Sequence, residues 1–391
     1  MSRSLIIVMD LTSSAAGIVY KRLIHAMQKY KEYDVLCPSV DDYARQSFNI
    51  LPCKQYKRLH YRLSTLFFNG LDYILMDKLW THINKRNVLN LFDENHYDSI
   101  ISFVYGGNTA PLILGNIIKN RLNLPWVVYS VDALPTPISW TNNFKQFNGL
   151  YKHLERYILS ADALYWANPI MKEYEEKLFE KYNGKYGIVL TPGEDRVENN
   201  LDHIKENSPI FLYAGQIYGP RKIDALLSGF DKYLKVEPNA KLIFVGHCGE
   251  NNFTHFYRLV LDRHIEIYPF SNDVEYYYQR ADILIDINAD VENDVFLSSK
   301  ICNYLSYDKP ILTISQEGSP VRNMMSGYNT IVHCHHDDNE VLVAMQQAVY
   351  CMRHYKDDRE DLRLRFSALS IAKEFCDDID KIIDNYTANR K

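Results

Sequence analysis

The chain has 391 residues, of which 47% are apolar and 24% charged, and its formal net charge at pH 7 is −5. Its 16 Gly and 14 Pro residues are too few for a low-complexity or collagen-like protein. The apolar content is enough to bury a large core, which excludes a disordered chain, and the acidic balance disfavours a general nucleic-acid binder. At this length we expect two or three domains.

Short apolar runs alternate with amphipathic stretches along the first half of the chain. The runs predict buried strands at residues 5–8, 100–104, 126–131, 163–167 and 187–190. The amphipathic stretches predict helices at residues 19–30, 110–121, 150–160 and 171–182. Because strands and helices alternate, we expect a parallel sheet with right-handed crossover connections.

A polar stretch at residues 193–209 is the predicted linker, and the alternation restarts after it. Strands are predicted at residues 211–214, 241–245, 265–268, 283–287, 311–314 and 330–332. Helices are predicted at residues 222–235, 274–280, 298–306, 340–352 and 367–386. The sequence therefore predicts an α/β protein with two Rossmann-like lobes, 1–200 and 208–370, facing each other across a ligand cleft. A C-terminal helix within 371–391 is predicted to pack back on the first lobe.

The cysteines and the apolar runs indicate the compartment. Seven Cys residues are scattered without a CxxC pair, as in reduced intracellular proteins. The first apolar run is too short for a signal peptide, and no window of 18 residues is apolar enough to span a membrane. We therefore expect a cytoplasmic protein.

One basic segment suggests a membrane surface. Residues 54–62 interleave Lys and Arg with Tyr and Leu, and three apolar residues follow at 66–68. Such a pattern suits anionic lipid, so residues 54–68 are a candidate for peripheral contact with the inner face of the plasma membrane. A solvated helix whose apolar side packs on its own domain is the favoured alternative.

Two turns in the second half carry residues suited to phosphate. The strand predicted at 211–214 is followed by Gly215, Gly219, Arg221 and Lys222. Glycines let the backbone approach a ligand, and two cations can neutralise a diphosphate. Neither GxxxxGK[ST] nor GxGxxG occurs, and an ordinary turn with solvated cations is an equal alternative.

The second turn opens the helix predicted at 298–306. Ser298 or Ser299 could cap this helix, and Lys300 lies in its first turn. Hydroxyls, free backbone N–H groups and a lysine at one helix start form a good phosphate cradle.

These segments together resemble the GT-B glycosyltransferases, in particular bacterial retaining enzymes of the family 4 type. The resemblance is carried by YAGQIYGPRK (213–222), KLIFVG (241–246), ADILIDI (281–287) and SSKICNYLSYDKPIL (298–312). The last is similar to the family segment SK-I-F-E-Y-L-A-x-G-K-P-I-L. The first half resembles the family only in architecture and in a glycine loop at Gly17. The resemblance implies the GT-B fold, with the donor on the second lobe and the acceptor on the first.

The resemblance also implies site residues. By position, the donor-binding residues are Gly215, Arg221, Lys222, Ser298, Ser299, Lys300 and Asn303. The family Glu that binds the nucleotide ribose is replaced here by Asn303, and the other family acid falls on Val295, with Glu292 and Asp294 nearby. Asn303 can donate and accept hydrogen bonds but lacks the charge for a strong grip on two hydroxyls.

On the first lobe, the acceptor side is predicted to contain Gly17, Gly106 and Asp132. Asp132 lies just after the strand predicted at 126–131, where it could bind the sugar or acceptor. A turn or capping role before Pro135 is the slightly favoured alternative. With Arg221 and Lys300, Asp132 completes the predicted catalytic set.

The implied function is transfer of a sugar from a nucleotide-diphosphate sugar, UDP favoured, to a glycan or lipid-linked acceptor. The resemblance implies retention of configuration and a role in bacterial surface polysaccharide biosynthesis. Cations and helix N–H groups can stabilise the leaving phosphate, so no metal or other cofactor is expected. A non-catalytic GT-B-like partner subunit and a nucleotide-sugar epimerase are the alternatives.

Two further patterns mimic metal sites. Asp286 and Asp290 resemble part of the DxD motif of the metal-dependent GT-A transferases, but a complete second α/β lobe surrounds them. Residues 333–338 are rich in His and Asp, but neighbouring residues at a strand end alternate faces. We interpret this second cluster as structural, with Asp337 or a neighbour capping the next helix.

Overall fold

The computed structural model describes residues 3–56, 72–195, 197, 208–271 and 273–388. The chain divides into two compact units, the first formed by Met1–Pro192 with Ser367–Lys391 and the second by Gly193–Phe366. The chain thus leaves the first unit after Pro192, whereas the first lobe was predicted from the sequence to end at residue 200. The chain returns to the first unit at Ser367, whereas the second lobe was predicted to end at residue 370.

The first unit is built on a seven-stranded sheet, with all neighbouring strands parallel. Its strands are β1 (Arg3–Ile7), β2 (Glu32–Leu36), β3 (Asn49–Leu51), β4 (Ser99–Val104), β5 (Trp126–Ser130), β6 (Ala163–Trp166) and β7 (Lys185–Ile188). The strand order is β3-β2-β1-β4-β5-β6-β7, so the direction of winding reverses between β1 and β4. The helices before the second unit are α1 (Ala15–Met27), α2 (Asp42–Ser47), α3 (Asp72–Glu94), α4 (Ala110–Leu122), α5 (Ile138–Thr141), α6 (Phe144–Ile158) and α7 (Pro169–Leu178).

The second unit is built on a six-stranded parallel sheet. Its strands are β8 (Ile210–Ala214), β9 (Lys241–Val245), β10 (Ile265–Tyr268), β11 (Ile283–Ile287), β12 (Ile311–Ile314) and β13 (Ile331–Cys334). The order is β10-β9-β8-β11-β12-β13, with the reversal between β8 and β11. A 3₁₀ helix covers Glu250–Phe256. The α-helices are α8 (Asp224–Tyr233), α9 (Tyr257–Leu261), α10 (Val274–Arg280), α11 (Ser299–Tyr304), α12 (Pro320–Met325), α13 (Asp338–His354) and α14 (Glu360–Phe366).

The last helix, α15 (Ala368–Ala388), belongs to the first unit. Its Phe375 ring packs against the rings of Tyr129 and Tyr165, with centroids 6.0 and 4.9 Å away. Lys31 Nζ lies 2.6 Å from Asp380 Oδ1. An apolar face and an ion pair therefore hold the predicted helical tail on the sheet of the first unit.

Strand β2 was not predicted from the sequence because a charge interrupts its apolar run. Asp34 is buried in the middle of this strand. Its carboxylate accepts hydrogen bonds from Arg3 Nη2 at 2.6 Å, from Asn49 Nδ2 at 2.6 Å and from the Tyr97 hydroxyl at 2.5 Å. Buried charge is tolerated when it is paired in this way.

All seven cysteines are free thiols. Within the described ranges, no helix combines the length and the apolar character that crossing a bilayer would need.

Candidate functional site

The second unit offers a ligand position where its sheet reverses winding. Strands β8 and β11 are neighbours there, and the chain leaving β8 forms the turn that carries Gly215 and Arg221. The chain leaving β11 leads into α11 and Lys300. Open parallel sheets bind ligands at such reversal points, beyond the carboxyl ends of their strands.

Lys300 lies directly against Gly215. A Cβ atom on Gly215 would come within 2.6 Å of Lys300 Cδ, and the glycine has a φ of +156°. Both observations require glycine at this position. The Lys300 Nζ atom lies 5.4 Å from the centroid of the Tyr213 ring. The predicted donor residues Gly215 and Lys300 are therefore brought together at the end of β8.

Two further charged groups surround this lysine. The Asp286 Oδ1 atom, on β11, lies 3.9 Å from Lys300 Nζ, and the exposed fraction of the Lys300 side chain is 15%. The pKa of Lys300 is lowered to about 8 by burial and, to a smaller extent, by the positive charge of Arg221, while Asp286 and Cys248 act in the opposite direction. Because that pKa is above 7, Lys300 is mainly protonated at neutral pH. We call Tyr213, Gly215, Arg221, Asp286 and Lys300 the Lys300 cluster.

Arg221 and Lys222 are neighbours in sequence but not in environment. Arg221 is only 9% exposed, and its guanidinium lies 4.6 Å from the centroid of the Tyr218 ring. The Lys222 side chain is 62% exposed, and its Nζ lies 3.1 Å from Asp290 Oδ2. Gln316 Nε2 donates to the other oxygen of Asp290 at 2.7 Å. Arg221 thus belongs to the Lys300 cluster, whereas Lys222 forms a surface ion pair.

The serines and Asn303 lie on α11, which is shorter than the predicted helix at 298–306. Ser298 occupies the N-cap position without a side-chain capping bond, and Ser299 is the first helical residue. The buried Ser298 Oγ has no hydrogen-bond partner among the described residues. The backbone carbonyl of Asn303 accepts from Ser306 N at 3.1 Å, closing the helix. With only six residues in α11, the cations carry more of any phosphate binding than the helix end does.

The position of the missing family acid is apolar and buried. Val295 is 3% exposed. Asp294, beside it, is also buried, and its Oδ1 accepts a hydrogen bond from Phe296 N at 3.1 Å. Asp294 therefore makes at least one hydrogen bond within its own loop.

In the first unit, the structure brings Asp132 and Gly106 together. Asp132 Oδ2 accepts a hydrogen bond from Gly106 N at 3.0 Å. The two residues follow the neighbouring strands β5 and β4. The contact fixes the turn after β4, and the catalytic and turn roles considered for Asp132 both stay predictions.

Gly17 is the third residue of α1, and not part of the loop after β1 as the sequence predicted. A Cβ atom here would come within 2.6 Å of the Thr12 carbonyl oxygen. Gly17 N donates to Ser14 Oγ at 3.0 Å, and Ser14 Oγ donates to Asp10 Oδ2 at 2.6 Å. The close approach is therefore to the loop that precedes α1, and the Gly17 N–H group donates to the N-cap residue Ser14.

The sequence did not predict a buried polar group at the start of α4. Asp77 Oδ2 accepts from Thr109 Oγ1 at 2.7 Å, and the same hydroxyl lies 2.9 Å from His153 Nε2. The hydroxyl of Tyr56 donates to Asp77 Oδ1 at 2.6 Å. Burial lowers the pKa of His153 to about 4, so this histidine is neutral at neutral pH. The residues are far apart in sequence, and no local motif marks them.

The basic segment is only partly covered, since residues 57–71 lie outside the described residues. Its first residue is anchored: Lys54 N donates to Asn84 Oδ1 at 2.8 Å, and Trp80 Nε1 donates to Lys54 O at 2.7 Å. Membrane contact by residues 54–68 stays a prediction.

The second metal-like pattern is accounted for by local structure. Asp337 caps α13, accepting from Asn339 N at 2.9 Å and Glu340 N at 3.0 Å. His333 Nδ1 lies 2.6 Å from Thr313 Oγ1. The predicted capping of α13 by Asp337 or a neighbour is confirmed. In the part of the chain that the structure describes, no three or more His, Cys, Asp or Glu side chains are grouped as metal ligands.

No known sequence family matches the chain, and no curated protein matches it significantly. Solved structures do match over nearly its full length. A glycosyltransferase from Rickettsia africae has a TM-score of 0.70 at 13% identity, covering 98% of this chain and 99% of that one. HepE from Anabaena, in complex with UDP and glucose, has a TM-score of 0.64 at 12% identity and covers 97% and 100%.

The lipopolysaccharide outer core galactosyltransferase WaaB has a TM-score of 0.65 at 14% identity, covering 97% of this chain and 99% of that one. A Listeria monocytogenes chain assigned as a UDP-N-acetylglucosamine 2-epimerase also shares the fold, so the fold alone does not distinguish transfer from epimerisation. Two parallel α/β units, a C-terminal helix and these similarities confirm the prediction from sequence: the chain has the GT-B fold.

Proposed function

We propose that the protein is a glycosyltransferase that moves a sugar from a UDP-sugar to a glycan or lipid-linked acceptor. The observation that carries this proposal is the Lys300 cluster, where the largely buried Lys300 and the buried Arg221 lie at the winding reversal of the second unit. The Lys300 ammonium, whose neighbouring carboxylate oxygen on Asp286 lies 3.9 Å away, suits an anionic ligand. The fold similarity to HepE, which was solved with UDP and glucose, supports a nucleotide diphosphate as that ligand.

The chemistry follows from where charge develops. Breaking the bond between the sugar and the diphosphate leaves negative charge on the departing phosphate. Lys300 and Arg221 would stabilise that charge in a site largely screened from water, where electrostatic interactions are strong. We propose that no metal is needed, and that excess EDTA leaves the rate unchanged.

The acceptor side is proposed to lie on the first unit, at the turns after β1, β4 and β5. Asp132 and Gly106 form one rigid pair there. We propose transfer with retention, in which the leaving phosphate assists deprotonation of the acceptor hydroxyl. Asp132 would then orient the sugar or the acceptor without acting as the base.

We propose a role in bacterial surface polysaccharide biosynthesis, on the cytoplasmic side of the membrane. The fold similarity to WaaB, a lipopolysaccharide galactosyltransferase, supports an acceptor of this class. Residues 54–68 would supply the peripheral contact that a lipid-linked acceptor requires.

Calorimetry with UDP tests the donor site. Lys300→Ala and Arg221→Ala should each weaken UDP binding by about 1.5–3 kcal/mol, roughly tenfold to hundredfold, because each removes a charge-assisted hydrogen bond to phosphate. The matched control is Lys235→Ala, which removes an exposed lysine of the same unit and should leave the affinity unchanged. Unchanged affinity in both cluster variants would refute the phosphate-site assignment.

Incubation with a panel of UDP-sugars, followed by NMR, separates the three candidate functions. A transferase releases UDP and forms a glycosidic bond when an acceptor is present. An epimerase converts the UDP-sugar without any acceptor. A protein that neither binds nor consumes any UDP-sugar fits the non-catalytic partner subunit and excludes the enzyme.

A further inference from the structure

A buried carboxylate lies beside the donor lysine, and the proposed chemistry does not use it. Asp286 is fully buried on β11. Its Oδ2 accepts a hydrogen bond from Asn288 Nδ2 at 3.0 Å, whereas Oδ1 has no hydrogen-bond partner among the described residues. A buried carboxylate is costly unless it is compensated, so its nearest opposite charge matters.

We propose that Asp286 is a positioning residue of the donor site: its charge keeps the Lys300 ammonium protonated within the buried cluster and leaves the ammonium's N–H groups available to a nucleotide diphosphate. This inference rests on the proposed function, because it describes how the same site maintains its cation. Asp286 touches neither donor nor acceptor in this proposal and acts through Lys300.

The separation of the two groups supports this role. Asp286 Oδ1 lies 3.9 Å from Lys300 Nζ. This distance is too long for a hydrogen bond but short enough for strong attraction in a medium of low dielectric constant. In the surface pair of Lys222 and Asp290, by contrast, the atoms are 3.1 Å apart and one N–H group is used.

The other groups that face Lys300 cannot replace Asp286. Arg221 is positive and opposes protonation of the lysine. Burial raises the pKa of Cys248 to about 11 and that of Tyr213 above its ordinary value, so both are neutral at neutral pH. Among the described residues, Asp286 is therefore the anion that stabilises the charged form of Lys300.

Replacing Asp286 with Asn should make UDP binding more sensitive to alkali. Burial already lowers the pKa of Lys300 to about 8, and loss of a neighbouring carboxylate lowers it further, by about one pH unit. At pH 8 the lysine of the variant is then mainly neutral, and UDP binds about fivefold more weakly than to the wild type. At pH 6 the lysine is charged in both proteins, and loss of the anion gives equal or tighter binding.

The test is calorimetric titration with UDP at pH 6, 7, 8 and 9 for wild type and Asp286→Asn. The ratio of the two affinities cancels the ionisation of UDP itself. Asp290→Asn is the matched control, because it removes an acid of the same strand end without touching Lys300, and its ratio should not vary with pH. A ratio for Asp286→Asn that is constant across this range overturns the inference, since a merely structural role would give that result.

Two further measurements keep the test decisive. If the buried amide of Asn prevents folding, Asp286→Ser removes the charge with a smaller side chain. NMR titration of ¹³C-methylated lysines in the unliganded protein follows Lys300 directly and does not depend on nucleotide binding. Failure of the wild type to bind UDP at any pH refutes the proposed function, whereas an unshifted Lys300 midpoint in the variant refutes the role of Asp286.

Discussion

Two lysines of the second unit have the same pKa and opposite surroundings. Burial lowers the pKa of Lys300 and of Lys309 to about 8 in each case. Lys309 Nζ donates hydrogen bonds to the carbonyl oxygens of Tyr278, Gln279 and Ala281, at 2.8, 2.6 and 2.5 Å. All three N–H groups of Lys309 are therefore used, whereas Lys300 lies 3.9 Å from the Asp286 oxygen.

The difference shows that a perturbed pKa does not identify a ligand site by itself. Lys309 closes the carboxyl end of α10, where cations interact favourably with unpaired carbonyls. Its own carbonyl accepts from the buried guanidinium of Arg359 at 2.9 Å, which extends the same network. The number of hydrogen bonds already made by the ammonium distinguishes the structural Lys309 from Lys300, which we propose to bind phosphate.

The largest expected effect is on the structural lysine. Lys309→Met leaves three carbonyl groups without their donor and should lower the free energy of unfolding by about 3 kcal/mol. Urea denaturation measures this change. At a temperature where the variant is folded, its UDP affinity should equal that of the wild type. A stable Lys309→Met with weakened UDP binding would reverse the assignments of the two lysines.

The converse substitution should affect binding and not stability. Lys300→Met removes a buried charge that makes no hydrogen bond within the described residues, so the free energy of unfolding should stay within about 1 kcal/mol of the wild type or rise. UDP affinity should fall about tenfold or more. Urea denaturation and calorimetry on the same preparation compare the two quantities. A large loss of stability would show that Lys300, like Lys309, is structural.

Gly215→Ala tests the contact that shapes the Lys300 cluster. The new Cβ atom would come within 2.6 Å of Lys300 Cδ and require a positive φ of an L residue. We expect a loss of about 1–2 kcal/mol in stability and a weaker UDP complex, because Lys300 must move. Gly318→Ala is the matched control, since its φ is +71° but nothing lies within 4 Å of the added atom. It should lose stability without losing affinity.

The smallest effect is expected at the cap of α13. Asp337→Ala removes the acceptor for Asn339 N and Glu340 N and should lower the melting temperature slightly. The hydrogen bonds lower the pKa of Asp337, so this contribution is present at neutral pH and is lost as the pH falls through the lowered pKa. Thermal denaturation at pH 7 and pH 3 measures both. A change in UDP affinity would show that residues 333–338 serve the ligand site after all.

The strands of the second unit were predictable because aliphatic residues dominate their runs, even where Glu266 interrupts β10 and Asp286 interrupts β11. Strands β9, β10, β11 and β12 match the predicted ranges to the residue. The interrupted strand β2 was missed, because its Asp34 is compatible with burial only through partners distant in sequence. Periodicity detects a buried run, but it does not detect a charge that is neutralised from another element.

Lys300 was predicted as a donor-site residue from its position at a helix start and from the resemblance, whereas the proximity of Asp286 to it was not predicted. Asp286 was considered as part of a metal motif, because its spacing from Asp290 is visible in the sequence. The loop from β11 to α11 brings it near Lys300, and the adjacency of β11 and β8 brings it near Arg221. Lys222 shows that adjacency in sequence can also mislead. Its neighbour Arg221 belongs to the Lys300 cluster, whereas Lys222 itself pairs with Asp290.

The return of the chain in α15 sets an order of events during synthesis. Phe375 completes the packing around Tyr129 and Tyr165, yet a ribosome makes it only after the whole second unit. Until then, the first unit exposes the apolar surface that α15 covers. The first unit is thus translated first, but its fold is completed only after the second unit has been made. A nascent chain stalled before Ser367 would therefore expose apolar surface and be a target for chaperones.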